Sequence, residues 1–402
     1  MIYDIDIWLH NKQVLYKMRK IHNYRFRLYP NSVIKSRLGA TLEASRWLYN
    51  YLLSKNIQSK EDMQFALTDL KENEQWLKLY HSKMLQMIPH RIDSARRSLL
   101  EKKKRGYDIG QVQYAKRDEW NTFVYNQSGF KIEKHGNSDL LWLSKIGWME
   151  IRLHRPTDGN IKQVTITKKA GKWFAIIAME VQPSLLKLID LTKSVGIDVG
   201  IKNYAYDSDG SVTPNPQNLL KMLKPLARAQ RKMSRRVKGS CNYKKAKRWY
   251  QIVHERIVNR RGDFQHKLSA HYAKKFDVVF MENLPLTNMI KNHHLAQKIM
   301  DAAWGSFKNM IKYKGMVIDV ESKNTTIDCS RCGNKVPKTL AIRIHQCDQC
   351  GLLIDRDHNA SLNILKRGLE LWNLPMEHRE VTPVEISLRS EKQEKVLSTR
   401  VG

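Results

Sequence analysis

The reading of this chain turns on Cys329-Ser-Arg-Cys332-Gly333, Cys347-Asp-Gln-Cys350-Gly351 and, directly after them, Asp355-Arg-Asp357-His-Asn359-Ala-Ser-Leu-Asn363. A Cys-x-x-Cys turn aims two thiolates at one point, and two such turns complete the tetrahedral shell of a structural zinc ion. Fourteen residues separate the pairs, a spacing that suits a zinc ribbon. Gly333 and Gly351 each follow a pair and permit the tight knuckle backbone. The alternatives are a pair of disulfides or four unrelated buried thiols. Disulfides belong to secreted chains, and Met1 to Lys20 shows no hydrophobic signal core. The remaining cysteine, Cys241, lies between basic helices and is assigned no role. Four thiolates leave no open coordination position, so Cys329, Cys332, Cys347 and Cys350 are read as ligands of a structural Zn2+. Its binding would supply on the order of 10 kcal/mol to fold so small a loop-rich insert.

Around this block stands a 402-residue chain with 71 Lys+Arg against 39 Asp+Glu, a net charge of +32. Such a surplus exceeds what solubility requires and implies a polyanionic partner. The basic residues are spread along the chain among 10 Trp and 16 Tyr, which favours nucleic acid over a membrane surface. No apolar run reaches the roughly 18 residues of a membrane span, so a cytoplasmic protein without a membrane partner is expected. The length suits two or three domains.

Tyr24-Arg-Phe-Arg-Leu-Tyr29 alternates with period two, as a half-buried strand does, and Pro30-Asn31 ends it. Ser32 is the expected N-cap of a helix whose buried face is Ile34, Leu38, Leu42, Ser45, Tyr49 and Leu52, and helical texture continues to about Arg105. From Trp120 to Val181 short strands take over, with a turn at Lys169-Ala-Gly171-Lys172. The first strand is expected to join this sheet, with residues 32 to about 110 as a helical insert.

Beyond a linker, Val195-Gly-Ile-Asp198-Val-Gly200 is an apolar strand with a central carboxylate, followed by a hairpin turn at Asp209-Gly210. A helical hairpin comes next. From Lys221 to Arg261 it carries fifteen Lys/Arg and a single acid, Glu255. Like charges at helical spacing repel, so the pair is read as a phosphate-contacting surface, with Arg228, Arg231, Lys232, Arg235, Arg236, Lys244 and Lys245 as candidates. Val278-Val-Phe-Met-Glu282 has the texture of a buried strand ending in an acid. Ala302 to Lys314 is expected to be one helix, Val317 to Val320 a strand, and a last helix begins near Asp357.

Asp198, Glu282 and Asp357 thus sit in or beside apolar segments, where an unpaired charge is costly. Each singly could be a salt bridge or, for Asp357, a helix cap. Together they could hold two Mg2+ ions about 3.5–4 Å apart, the arrangement that activates water and stabilises a leaving oxygen in phosphodiester hydrolysis.

The segments GIDVGIKNYAYDSDG, FMENLPLTNMIKN, AAWGSF, CSRCGNKVPKTLAIRIHQCDQCG and DRDHNASLNIL resemble the RuvC-type nuclease of the TnpB family, RNA-guided endonucleases of insertion elements related to type V CRISPR effectors. NYRFRLYPN and SRWLYNYLL extend the resemblance upstream over nearly the whole chain. It implies a fold that is α+β and multidomain. An N-terminal extension (1–20) precedes a wedge β-barrel or sheet (21–185) with a helical recognition insert (about 32–110). A linker (186–194) leads to an RNase H-like α/β domain (195–325 and 351–368) with an inserted zinc ribbon (326–350), and a poorly ordered tail (369–402) closes the chain. The family's metal-binding acids fall on Asp198, Glu282 and Asp357, with Asp355 left to orient a neighbour, and its zinc ligands on the four cysteines. The implied partners are a guide RNA and a target double-stranded DNA, with Arg343, Arg356 and Lys202 guiding a strand. Where family members carry a Gly-Phe-Pro-Arg-Phe-Lys-like stretch, this chain reads Gly110-Gln-Val-Gln-Tyr-Ala115. A guided DNA-binding protein that does not cut, and a transposase or unguided nuclease on the same fold, are the competing readings.

Overall fold

The computed structural model describes residues 5–10, 13–18, 20–136, 138–157, 159–181, 187–339 and 342–373. They fall into two compact units, Met18–Ser184 and a second that joins Met1–Lys17 to Leu185–Gly402. Among the described residues no helix is long and apolar enough to cross a membrane.

Strands β1 (Ile5–His10) and β2 (Gln13–Met18) come first in the chain. The first unit then opens with β3 (Lys20–Tyr29), where Phe26 and Leu28 are buried while Arg25 and Tyr29 are exposed. Asn31, rather than the expected Ser32, caps α1 (Ser32–Ser54). Its shorter reach back suits Oδ1 to accept the Ile34 N–H at 2.9 Å. Two more long helices follow, α2 (Lys60–Asn73) and α3 (Ser82–Lys104). The chain returns through β4 (Thr122–Asn126), β5 (Phe130–His135), β6 (Ser138–Leu143), β7 (Gly147–Arg152), β8 (Asn160–Lys169) and β9 (Lys172–Val181). These seven strands pair in the order β4-β8-β9-β3-β7-β6-β5, all antiparallel. Because β3 lies between β9 and β7, the three helices are an insertion between β3 and β4. They share one core with the sheet, in which Leu38, Leu48, Leu52 and Ile92 meet Phe26, Phe123, Leu141 and Ile166. The β8–β9 turn uses Ala170 (φ 47°) and Gly171 (φ 76°), two successive left-handed residues that match the twist of a hairpin.

In the second unit the short β10 (Lys187–Leu188) pairs with β2. Its main sheet is built from β11 (Ser194–Val199), β12 (Asn203–Asp207) and β13 (Val212–Pro214). Helices α4 (Leu223–Ser234) and α5 (Cys241–Lys275) form the hairpin, then β14 (Val278–Glu282) re-enters the sheet. After α6 (Leu286–Met289), α7 (His293–Ala302) and α8 (Trp304–Lys312) comes β15 (Met316–Val320). A small hairpin of β16 (Ile344–Gln346) and β17 (Leu353–Asp355) leads straight into α9 (Arg356–Asn373). Strand order is β13-β12-β11-β14-β15, with β14 and β15 parallel to β11 and β12 antiparallel to it. Val278, Val279, Phe280 and Met281 are all buried, as a central parallel strand requires. Helix α9 lies close on this sheet because two positions lack a side chain. A Cβ on Gly196 would collide with the Ser361 carbonyl, and one on Gly368 with the Phe280 ring.

The helix expected over 302–314 is α8, which starts two residues late because α7, ahead of it, ends at Ala302 and Ala303 turns the chain between them with a φ of 49°. The turn is held from a distance: Tyr204 Oη and Gln265 Nε2 each donate to the Ala302 carbonyl at 3.0 Å, and Gln265 also to that of Ala303 at 3.1 Å. The last helix likewise runs to Asn373, into the start of the expected tail, because Trp372 packs in a core with Phe280 and Ile364. Residues 374–402 of that tail, 182–185 at the end of the expected first domain and 186 of the linker lie outside the described residues.

Candidate active site and metal centre

Parallel pairing brings two of the acids together. Ile197 on β11 is in register with Met281 on β14, so the next residues, Asp198 and Glu282, stand side by side at the carboxyl ends of the strands. That edge is where open α/β sheets place their ligands. The third acid, Asp357, arrives in the first turn of α9, which packs against β11. Asp355, the last residue of β17, caps this helix: its Oδ1 accepts the N–H of Asp357 at 2.8 Å and of His358 at 3.3 Å. The capping role open to Asp357 in the sequence is therefore taken by its neighbour, and the Asp357 carboxylate faces arginines. Arg356 donates to its Oδ1 at 3.0 and 3.1 Å, and Arg343 Nη1 lies 3.6 Å from its Oδ2. The two arginines expected to guide a strand thus meet this acid.

Burial, then the charges of Glu282 and Asp357, push the Asp198 carboxyl well above the usual carboxylate range, against the pull of Arg356. Burial also raises Glu282, held in check by the Thr325 hydroxyl that donates to it and by Arg367 and Lys308. Sequence reasoning missed Thr325 and Lys308. Lys308 Nζ donates to the Glu282 carbonyl at 3.0 Å and pairs with Asp319 at 2.9 Å, fixing the end of β14. Asp198 and Glu282, both raised by burial and the first also by its acidic neighbours, form an oxygen donor set short of positive charge, which suits a hard divalent cation.

The four cysteines gather more tightly. Their Sγ atoms all lie within 4.8 Å of one another, the one such group of three or more metal-ligating residues among the described residues; the three acids are spread more widely than that. Cys329 to Cys350 is 3.6 Å and Cys332 to Cys347 3.5 Å, close to the roughly 3.8 Å edge of a tetrahedron whose Zn–S bonds are about 2.3 Å. None forms a disulfide. Gly333 N–H donates to the Cys329 carbonyl at 2.8 Å and Gly351 N–H to that of Cys347 at 2.9 Å, both glycines at positive φ. The backbone N–H of Cys350 leads the groups that pull the Cys347 thiol down, while the neighbouring thiols push Cys350 the opposite way. The quartet can hold a zinc ion.

Two buried asparagines, one helical turn apart on α9, tie the knuckle to the acids. Asn359 accepts the Ser330 N–H at 2.9 Å and donates to the Asp328 carbonyl at 2.8 Å. Asn363 donates to the carbonyls of Thr325 at 2.8 Å and Asp328 at 2.7 Å. Their signal in the sequence is an i, i+4 pair of poor helix formers on the buried face.

On the hairpin, Arg228, Arg231, Lys232, Arg235, Arg236, Lys244 and Lys245 are all exposed, and none ends in an ion pair among the described residues. Met222, Ala229, Val253 and Ile257 give the hairpin a core of its own. Lys202 is exposed in the turn between β11 and β12.

Three family profiles match the chain: "Probable transposase" over residues 176–293, "Cas12f1-like, TNB domain" over 304–364 and "Helix-turn-helix domain" over 18–62. A Streptomyces pristinaespiralis protein named "Putative RNA-guided DNA endonuclease" is 32% identical across 86% of this chain and 89% of its own. The Escherichia coli protein of the same name, InsQ, is 28% identical across 87% and 93%. Among solved structures, Cas12f1 in its complex with sgRNA and target DNA shares the fold at a TM-score of 0.53 and 15% identity, covering 84% of this chain and 83% of that one.

Proposed function

The chain belongs to the TnpB family of RNA-guided DNA endonucleases, and from that premise we propose that it is the Mg2+-dependent nuclease of an insertion element, directed by a guide RNA to hydrolyse target DNA beside a short adjacent motif. The observation that carries this reading is the approach of Glu282 and Asp357 to Asp198 at the carboxyl edge of β11 and β14, where burial first and then their two charges raise Asp198. A protein that only bound DNA would have no use for that repulsion.

In this reading the second unit is an RNase H-like domain with its ribbon inserted between β15 and α9. The seven-stranded sheet is the wedge, and α1–α3 are its recognition insert. Asp198, Glu282 and Asp357 would hold Mg2+, which when bound lowers the pKa of water and screens charge on the phosphate. The protein's own groups prepare that site. Asp355 takes over the cap and leaves the Asp357 carboxylate for the cation. The Thr325 hydroxyl fixes one rotamer of Glu282. Arg343 and Arg356, once Asp357 faces a cation, are placed to meet the scissile phosphate. The four cysteines hold a structural zinc. The basic hairpin and the sheet hold the guide and its heteroduplex, whose phosphates match the +32 charge.

The test is cleavage of a plasmid carrying a guide-matched target by protein purified with the RNA of its element. Asp198→Ala is expected to abolish cutting and leave RNA binding intact. Equal cutting by the variant, or protein recovered from cells holding the complete element without any discrete RNA, would overturn the reading.

A further inference from the structure

The neighbour of Asp198 on the side away from Glu282 is Tyr206. Asp198 and Tyr206 are register partners between β11 and β12, and Ile197 pairs with Met281, so Tyr206, Asp198 and Glu282 stand in one row across three strands. Residues directly opposite one another on paired strands share a face of the sheet. That face is the one α9 covers, since a Cβ on Gly196, two residues before Asp198, would strike the Ser361 carbonyl. The Tyr206 ring accordingly lies against the ring of His358, the residue after Asp357, with centroids 5.1 Å apart and planes 18° from parallel. His358 Nε2 in turn faces the Ser208 carbonyl at 3.4 Å. The phenol is thus held by its ring, yet its hydroxyl makes no hydrogen bond among the described residues. Tyr204 and Tyr272, in the same unit, both use theirs, on the Ala302 carbonyl and on Asp207. Nor is the Tyr206 hydroxyl one of the sealed polar atoms without a partner, so it opens to solvent. Burial first, then the charges of Asp355 and Asp357, raise this phenol, as befits a hydroxyl within the field of the acids. An uncharged donor at the edge of an acid cluster suits a phosphate oxygen. A further carboxylate there would repel the strand, a further cation would compete with Mg2+, and a neutral phenol is a poor ligand for a hard cation beside three carboxylates.

We propose that Tyr206 is a substrate-contacting residue, its hydroxyl donating to a non-bridging oxygen of the phosphate that flanks the scissile one, with His358 holding the ring. The inference rests on the nuclease reading for the identity of the strand. It adds to that reading a neutral anchor on the far side of Asp198, two strand spacings of about 4.8 Å from Glu282. Such an anchor fixes which phosphate stands at the acids.

Tyr206→Phe keeps the ring on His358 and removes only the hydroxyl, so its melting temperature should match the wild type. In the RNA-loaded complex, single-turnover cutting of bound target is expected to slow about tenfold, the worth of one hydrogen bond at the reacting strand. A neutral methylphosphonate is then placed at each phosphate flanking the cut in turn. At one position it should slow the wild type about tenfold and slow Tyr206→Phe no further, because both changes remove the same contact. Unchanged cutting by Tyr206→Phe, or losses that multiply at every position, would overturn the proposal. The second experiment does not depend on cutting. With p-azidophenylalanine incorporated in place of Tyr206 in the Asp198→Ala complex, irradiation with target bound should join the protein to one nucleotide of a DNA strand. No DNA adduct, or adducts to the guide RNA alone, would also overturn the contact, whether or not the wild type cuts. A DNA adduct from a protein whose wild type cuts no target would refute the nuclease reading and leave the contact standing.

Discussion

Asp198 and Glu282 are held by strands whose neighbours Val195, Ile197, Val279 and Phe280 are buried, so ordinary apolar packing places them. Asp357 is held differently. It follows a three-residue strand of the cysteine hairpin by two positions, and its helix grips the first knuckle through Asn359 and Asn363. The first pair should stay in place whatever metal is present, whereas the third acid should depend on an ion several residues away. One site is thus assembled from a part that folds by hydrophobic burial and a part that folds by coordination.

The sharpest test of this contrast is Asp198→Asn. Cutting should fall at least a thousandfold, yet without Mg2+ the variant should melt about 2–4 °C higher, the shift that roughly 1 kcal/mol gives a domain of this size, because a repelled buried charge has been removed. A lower melting temperature would mean that the sheet acids are not under strain. Cys347→Ser probes the other half. Zinc content by elemental analysis should drop, and cutting should fall about a hundredfold, while circular dichroism keeps the helices and sheet and RNA binding persists. If cutting survived zinc loss, Asp357 would be positioned by α9 alone. Asn363→Ala should be milder, near tenfold in rate, since it strands two buried carbonyls at about 1–3 kcal/mol. Faster zinc release to a chromogenic chelator would assign its effect to the ribbon. The smallest effect belongs to Arg343→Ala. Its 3.6 Å contact with Asp357 competes with a cation, so half-maximal cutting should need a few-fold less Mg2+. An unchanged magnesium titration would show that this contact has no influence on the site.

Much of this was legible in the chain because the signals are local. Two Cys-x-x-Cys pairs each followed by glycine, an apolar strand with one acid, and a buried run ending in Glu282 need no tertiary information. The misses all have long-range or shared causes. The late start of α8, after the turn at Ala303, is set by Tyr204 and Gln265, far away in sequence. The cap left open at Asp357 falls to Asp355, because the entry from β17 sets its Oδ1 against the N–H of Asp357. That Arg343 and Arg356 reach the Asp357 carboxylate also lies beyond the sequence, which shows neither the hairpin nor the helix turn that aims them. The last turn of α9 falls inside the expected tail because nothing near Trp372 in the sequence shows the Phe280 it packs against.

The hairpin of α4 and α5 has a consequence of a different kind. At about 1.5 Å per residue the 35 residues of α5 extend roughly 52 Å. Only the end with Tyr272 and Phe276 shares the apolar cluster of the sheet, while the opposite end closes on α4 through its separate cluster. Length can therefore be added or trimmed in whole turns near the tip without shifting β11 or β14. The span of nucleic acid that the arm grips and the position of the chemistry are free to diverge independently, as on a crane whose boom is changed without moving its base.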